Sequence, residues 1–253
     1  MALTASLTKP AREIGGFFAM SQDVILALRP PVAWRECILQ AWFVARVAAL
    51  PAVALGLVFN ALVIFMLDVL FISLGAGDLA GVGASLSVIT QIGPFTTAMV
   101  ISGAAATAMC ADLGARTIRE ELDAMRVMGI NPIQRLVVPR VMALTFNALL
   151  LAGVVCITGL AGDYLFAVYV QNVTPGPFAA TLTLLAGVSD IIVCLLKAAL
   201  FGLVGGLIAC YKGLNPAGGP AGVGNAVNET VVYTIMATAA INTFVTALTT
   251  GAV

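Results

Sequence analysis

Apolar positions along this chain form five long runs, at about 41–74, 85–111, 136–171, 178–211 and 224–250. Each is long enough to cross a hydrocarbon core of about 30 Å, which takes about 20 apolar residues as a helix. Between the second and third runs lies a polar island, residues 115–132 (ARTIREELDAMRVMGINP), which holds six of the chain's 24 charged residues within eleven positions. There Ile118, Leu122, Met125 and Met128 recur at helical spacing, so the pattern predicts a short amphipathic helix over 115–131. Its acids come early, Gly129 can take a left-handed closing conformation, and Pro132 blocks resumption. A second amphipathic stretch covers Ala11 to Arg29, with Ile14, Phe17, Phe18, Val24, Ile25 and Leu28 on one side and Arg12, Glu13, Gln22 and Asp23 on the other. Glu13 and Asp23 interrupt the apolar run a signal peptide needs, so residues 1–31 are expected to form a helix lying in the membrane interface, ended by Pro30-Pro31.

The predicted fold is therefore all-α, a polytopic membrane protein in one domain over residues 1–253: an interfacial helix, five transmembrane helices and a cytoplasmic helix between the second and third spans. Orientation follows from Lys and Arg. Lys9, Arg12, Arg29, Arg35 and Arg46 precede or open the first span, Arg116, Arg119, Arg126, Arg135 and Arg140 cluster at the island, and Lys212 lies at the fourth connection. The opposite connections, about 75–84 and 172–177, contain neither Lys nor Arg. By the positive-inside rule the N-terminus and island are cytoplasmic and the C-terminus is outside, in a cytoplasmic (inner) membrane.

Composition agrees and narrows the chemistry. The chain is 61% apolar and 9% charged, with mean hydropathy +1.07, against about 25% charged residues in a soluble domain. Its zero net charge gives no reason to expect a nucleic-acid partner. The absence of histidine removes Ser-His-Asp chemistry and histidine metal sites. Cys37, Cys110, Cys156, Cys194 and Cys210 show no metal-ligand spacing and read as small buried hydrophobes, so no metal site is expected. None of Lys9, Lys197 and Lys212 stands in a phosphate-binding loop, so the chain cannot hydrolyse ATP by that route and is read as a non-enzyme. Asp190 and Lys197 fall on one face of the fourth run, and Glu229 enters the fifth from its cytoplasmic end. Charges at such depth need partners; they read either as an ion pair fixing helix register or as a polar element of a substrate path or gate.

The island reads as a docking surface. A helix tied by short links to two spans moves with them, so a partner gripping it drives the spans. Met125 and Met128 suit a groove, and Arg119, Glu120, Glu121, Leu122, Asp123, Arg126 and Gly129 complete the candidate coupling set. The alternative is a helix resting on lipid headgroups, although such helices usually carry a basic polar face and this one is mixed.

The runs Ala111-Asp112-Leu113-Gly114, Glu120-Glu121-Leu122, Ala124-Met125, Met128, Asn131-Pro132 and Pro139-Arg140 resemble the cytoplasmic loop of the MlaE/YrbE permeases of Mce-type ABC transporters. The resemblance extends to Gly93-Pro94, to Cys194–Lys197 followed by Phe201-Gly202, and to Gly222-Val223-Gly224 leading to Thr230-Val231-Val232, and is greatest for actinobacterial YrbE subunits. It implies a lipid transporter core: two permease chains, a heterodimer more readily than a homodimer, two cytoplasmic P-loop ATPases on the coupling helices, and extracellular Mce proteins forming an apolar conduit. ATP and Mg would belong to the ATPase, with no cofactor in this chain. The cargo it implies is a lipid or fatty acid, placed between the permease subunits near Leu70, Phe71 and Leu74 of the first span and Ile92 and Phe95 of the second. The chain departs from the family pattern at Thr90-Gln91, Ala104 and Glu229, where charged or basic residues are common. The competing reading is a non-transporting scaffold or channel that anchors an extracellular assembly.

Overall fold

The computed structural model describes residues 2–27, 33–75, 80–171 and 173–250, and every regular element among them is a helix. The expected stop at Pro30-Pro31 and the side chains of Lys9, Arg12 and Ile14 lie outside the described residues. In chain order the elements are α1 (Ala2–Ala27), α2 (Trp34–Ser73), α3 (Ala80–Ser87), α4 (Gly93–Val100), α5 (Ala106–Ile118), α6 (Glu121–Val127), α7 (Val138–Tyr169), α8 (Pro175–Leu185), α9 (Val188–Leu214) and α10 (Gly219–Thr250). Five segments are long and apolar enough to cross a membrane: Trp34–Phe71, Gly81–Ile118, Ile133–Tyr169, Val188–Leu214 and Gly219–Thr249. The chain is an all-α, multi-pass membrane protein.

Two boundaries differ from the hydropathy pattern. The run at 178–211 is two helices, because Ala186 and Gly187 take extended backbone and separate α8 from α9. At 1.5 Å per residue the 11 residues of α8 rise only about 16 Å, too short to cross, and α8 packs on α3 instead. The fourth span thus begins at Val188. The second span is also composite: α3, α4 and α5 follow one another through π-turns at Val88–Ile92 and Ile101–Ala105.

The core is built around α7, which packs against both α2 and α9, while α5 and α10 close on the other side of α9. Small residues lie at these contacts. A Cβ on Gly202 would stand 2.7 Å from Ala148 Cβ and from Thr145 Cα, so only glycine lets α9 approach α7 this closely. Gly159 and Gly162 accept Asn60 and Leu57 of α2 in the same way, whereas Gly103 faces open space. Cys37, Cys110, Cys194 and Cys210 are buried, and Cys156 is half-buried with its Sγ 3.9 Å from that of Cys194. Most of the apolar surface of α2 and α10 remains exposed.

Candidate functional site

The island and its roots form the most structured polar region. One helix is expected over 115–131, but the helix of the second span stops at Ile118 and α6 begins at Glu121. Glu120 makes the break, with φ 59° and ψ 17° in the left-handed region. The single apolar stripe is accordingly lost. Leu122 is buried and Met125 packs on the core, but Ile118 and Met128 turn outward, and Val127 (89% exposed), Met128 and Ile130 form an apolar tip. The polar side chains are held in place by pairs, Arg119 with Glu121 at 3.0 Å and Arg126 with Asp123 at 2.9 Å. Gly129 takes the expected left-handed turn (φ 76°), with Ile130 N–H donating to Met125 carbonyl at 2.9 Å. Asn131 Oδ1 then accepts from Ile133 N–H at 3.0 Å and starts the third span.

Three connections root this knuckle in the bundle. Arg140, in the first turn of α7 and 0% exposed, donates to Asp112 of α5 and to Leu136 carbonyl. It joins the helices that enter and leave the island. Thr117 Oγ1 donates to Gly213 carbonyl at 3.0 Å, tying α5 to the end of α9. Lys212 of α9 reaches Glu13 of α1 at 3.1 Å and Glu229 of α10 at 2.7 Å, and lies 4.7 Å from the Tyr233 ring centre. The predicted residue Glu229 therefore belongs to this clamp at the island end, outside the membrane centre. Sequence reasoning missed Asp112 and Arg140 as a functional pair, although both stood in the motifs that carried the resemblance. A separation of 28 residues has no helical period to reveal it.

Of the two readings of Asp190 and Lys197, the ion pair between them does not form. Asp190 sits in the first turn of α9, where its Oδ2 accepts from Gly187 N–H at 2.9 Å and caps the helix. The extended residues at 186–187, unseen in the apolar pattern, moved it from the span interior to the span's start. Lys197 is buried and donates to Thr90 carbonyl at 3.1 Å and Thr246 Oγ1 at 2.9 Å. The reason lies in the second span: Thr90 carbonyl would ordinarily accept from residue 94, but Pro94 has no N–H. Lys197 donates to that carbonyl and links α9, the first π-turn and α10.

The five residues expected at a lipid site do not converge. The Phe71 ring covers Gly83, within 2.5 Å of where a Cβ would be, while Phe95 stacks edge-on against Phe59 at 5.9 Å. The antiparallel register of α2 with the second span therefore puts Ile92 and Phe95 about 12–18 Å inward of Leu70 and Phe71. Leu70, Leu74 and Phe95 are exposed, Phe71 is partly so, and Ile92 is buried in the first π-turn. Among the described residues no group of three or more His, Cys, Asp or Glu is placed to hold a metal ion.

Comparison with known proteins agrees with this architecture. The profile of the family described as Permease MlaE matches residues 37–248. A probable ABC transporter permease protein of Synechocystis sp. is 33% identical over 167 residues, covering 66% of this chain and 64% of that protein. A protein of the same description from Rickettsia conorii is 28% identical over 228 residues, 88% of this chain and 87% of the relative. One from Pyropia yezoensis is 31% identical over 176 residues, 69% and 66% of the two chains. With the profile spanning all five membrane-crossing segments, the chain belongs to the MlaE permease family.

Proposed function

We propose that this chain is the membrane-spanning permease subunit of an Mce-associated ABC transporter. In this reading it moves lipids or fatty acids between the cytoplasmic membrane and extracellular Mce proteins. A separate P-loop ATPase, which carries the ATP and Mg, grips α6 from the cytoplasm and drives the helices. The single observation that carries the reading is the island: α6 is hung between α5 and α7, presents an apolar tip and two fixed ion pairs, and its two flanking helices are joined by Asp112 and Arg140. A force applied there reaches two spans at once. The named relatives, probable ABC transporter permeases, support the ATPase partner. The basic residues gathered at the island end support a cytoplasmic location for it and an outside location for the C-terminus. The exposed apolar faces of α2 and α10 leave surface for a second permease chain, which the resemblance makes a different YrbE subunit. Leu70, Phe71 and Leu74 remain the proposed lipid contacts at the far end, with Phe95 deeper along the same path.

The test is purification of the detergent-solubilised complex from wild type and from Glu121→Arg/Asp123→Arg, with identification of every co-purifying protein. A P-loop ATPase present with wild type and lost from the variant, while membrane partners stay, is the expected result. Absence of an ATPase from both would favour a scaffold that anchors an extracellular assembly.

A further inference from the structure

The seam between α2 and α7 holds a set of oxygens that nothing among the described residues satisfies. Asp68 of α2 is 0% exposed and Asp163 of α7 is 1% exposed, and none of their four carboxylate oxygens has a hydrogen-bond partner. Ile64, one turn before Asp68, and Ala167, one turn after Asp163, belong to one buried cluster, so the two acids lie on the facing sides of the seam. Asn60, two turns before Asp68 on the same face of α2, is buried as well. Its Nδ2 donates to Gly56 carbonyl at 2.6 Å and its Oδ1 has no partner. The amide lies on α7 at Gly159, one turn before Asp163, where a Cβ would stand 2.5 Å from Nδ2 and 3.1 Å from Oδ1. Five acceptor oxygens thus line one seam without a donor.

The charges on α9, which packs on α7, are engaged elsewhere: Asp190 accepts from Gly187 N–H, and Lys197 donates to Thr90 carbonyl and Thr246 Oγ1. From Val47 to Ser73, α2 contains no titratable group except Asp68, and α3 and α8, which cover this end, contain none. Beyond Arg140, α7 offers Asp163, Cys156, Tyr164 and Tyr169. Tyr164 stacks on Phe178, Cys156 neighbours Cys194, and Tyr169 is exposed. The rest is apolar, with Ile64, Ala84, Val88, Ala167 and Phe178 forming a cluster along the same helices. Two bare carboxylates at this depth are each poorly solvated and repel one another. A hard metal cation would need six or more oxygen ligands, and helical carbonyls are already engaged, so the seam offers too few. A proton needs no such shell.

We propose that Asp68 and Asp163, with Asn60 beside them, form an internal proton-binding site in which at least one carboxyl carries a proton at neutral pH. While the proton is bound, α2 and α7 meet as nearly neutral surfaces. When the seam opens to water, the acid ionises to a carboxylate and a hydrated proton, and the like charges then oppose reclosure. Separation of α2 from α7 is therefore linked to proton release. The site does not rest on the transport reading, and it is tested without transport.

The experiment is infrared spectroscopy of the purified membrane complex in lipid nanodiscs, with thermal unfolding followed against pH. At neutral pH the wild type should show the C=O stretch of a protonated acid that Asp68→Asn/Asp163→Asn lacks. Its unfolding midpoint should fall as the medium is made alkaline, and that of the double variant should fall less. A wild-type spectrum without the acid band overturns the proposal. So does a midpoint raised by sodium or calcium at fixed pH, which would mark a metal site, or an equal pH response in wild type and double variant. If the double variant does not assemble, the single variants decide: an acid band lost or shifted in Asp68→Asn or in Asp163→Asn supports the site, and a band unchanged in both overturns it.

Discussion

Glu120 occupies a left-handed backbone conformation, which costs a residue with a side chain about 1–2 kcal/mol. Glycine is free of that cost and a β-branched residue bears more of it. Glu120→Gly should therefore unfold at or above the wild-type temperature, and Glu120→Val should be about 1–2 kcal/mol less stable and unfold below it, both read by thermal denaturation in detergent. Lys197 offers a sharper case. Lys197→Met removes the buried bond to Thr90 carbonyl and should cost about 1–3 kcal/mol. Pro94→Ala restores an N–H at the position from which that carbonyl is ordinarily served, so the double variant Lys197→Met/Pro94→Ala should recover part of the loss. Equal stability of the single and double variants would show that Lys197 acts through something other than Thr90. The sequence displayed both residues but not their relation, because the acceptor is a backbone carbonyl and its donor arrives 107 residues later.

At the scale of elements, the joint between α5 and α7 makes a measurable prediction. Removing Asp112 leaves Arg140 buried and unpaired, and since Asp112 itself is partly exposed the cost should be about 2 kcal/mol, below that of a fully enclosed pair. A double-mutant cycle over Asp112→Asn and Arg140→Met should return a coupling of about 1 kcal/mol or more, measured by unfolding; additive single effects would mean the two helices are joined by packing alone. The island helix was legible as a feature and misread in form. Charge density, Gly129 and Pro132 marked where it lies and where it ends, and Gly129 does take the expected turn. The break at Glu120 could not be read, because glutamate is an ordinary helix residue and only the route of the chain from α5 to α6 imposes a left-handed backbone there. The same limit applies to Ala186-Gly187, which sits within an apolar run yet separates a short helix from a span.

For the whole molecule, hydropathy delivered five crossing segments because the bilayer length imposes a threshold that these runs pass, and the chain's membership of a permease family rests on the same extent of sequence. The relative placement of those segments was not available from their composition. The register of α2 against the second span carries Phe95 to Phe59 and Phe71 to Gly83, so residues expected around one cavity lie along a path instead. On that geometry Phe71→Asp should impair lipid uptake while the complex still purifies intact, and Phe71→Trp, pressed against Gly83, should do so more mildly; normal uptake in both would remove Phe71 from the path. The second span has one more consequence. Each π-turn holds one residue beyond an α-helical turn, and a residue corresponds to about 100° of rotation. Deleting one residue from 88–92 would return that turn to α-helical form and keep Asp112 on the face that meets Arg140, whereas a deletion in the α-helical turns between the two π-turns would swing Asp112 off it by that angle. The span should then tolerate the loss of one residue inside a π-turn and of almost none elsewhere.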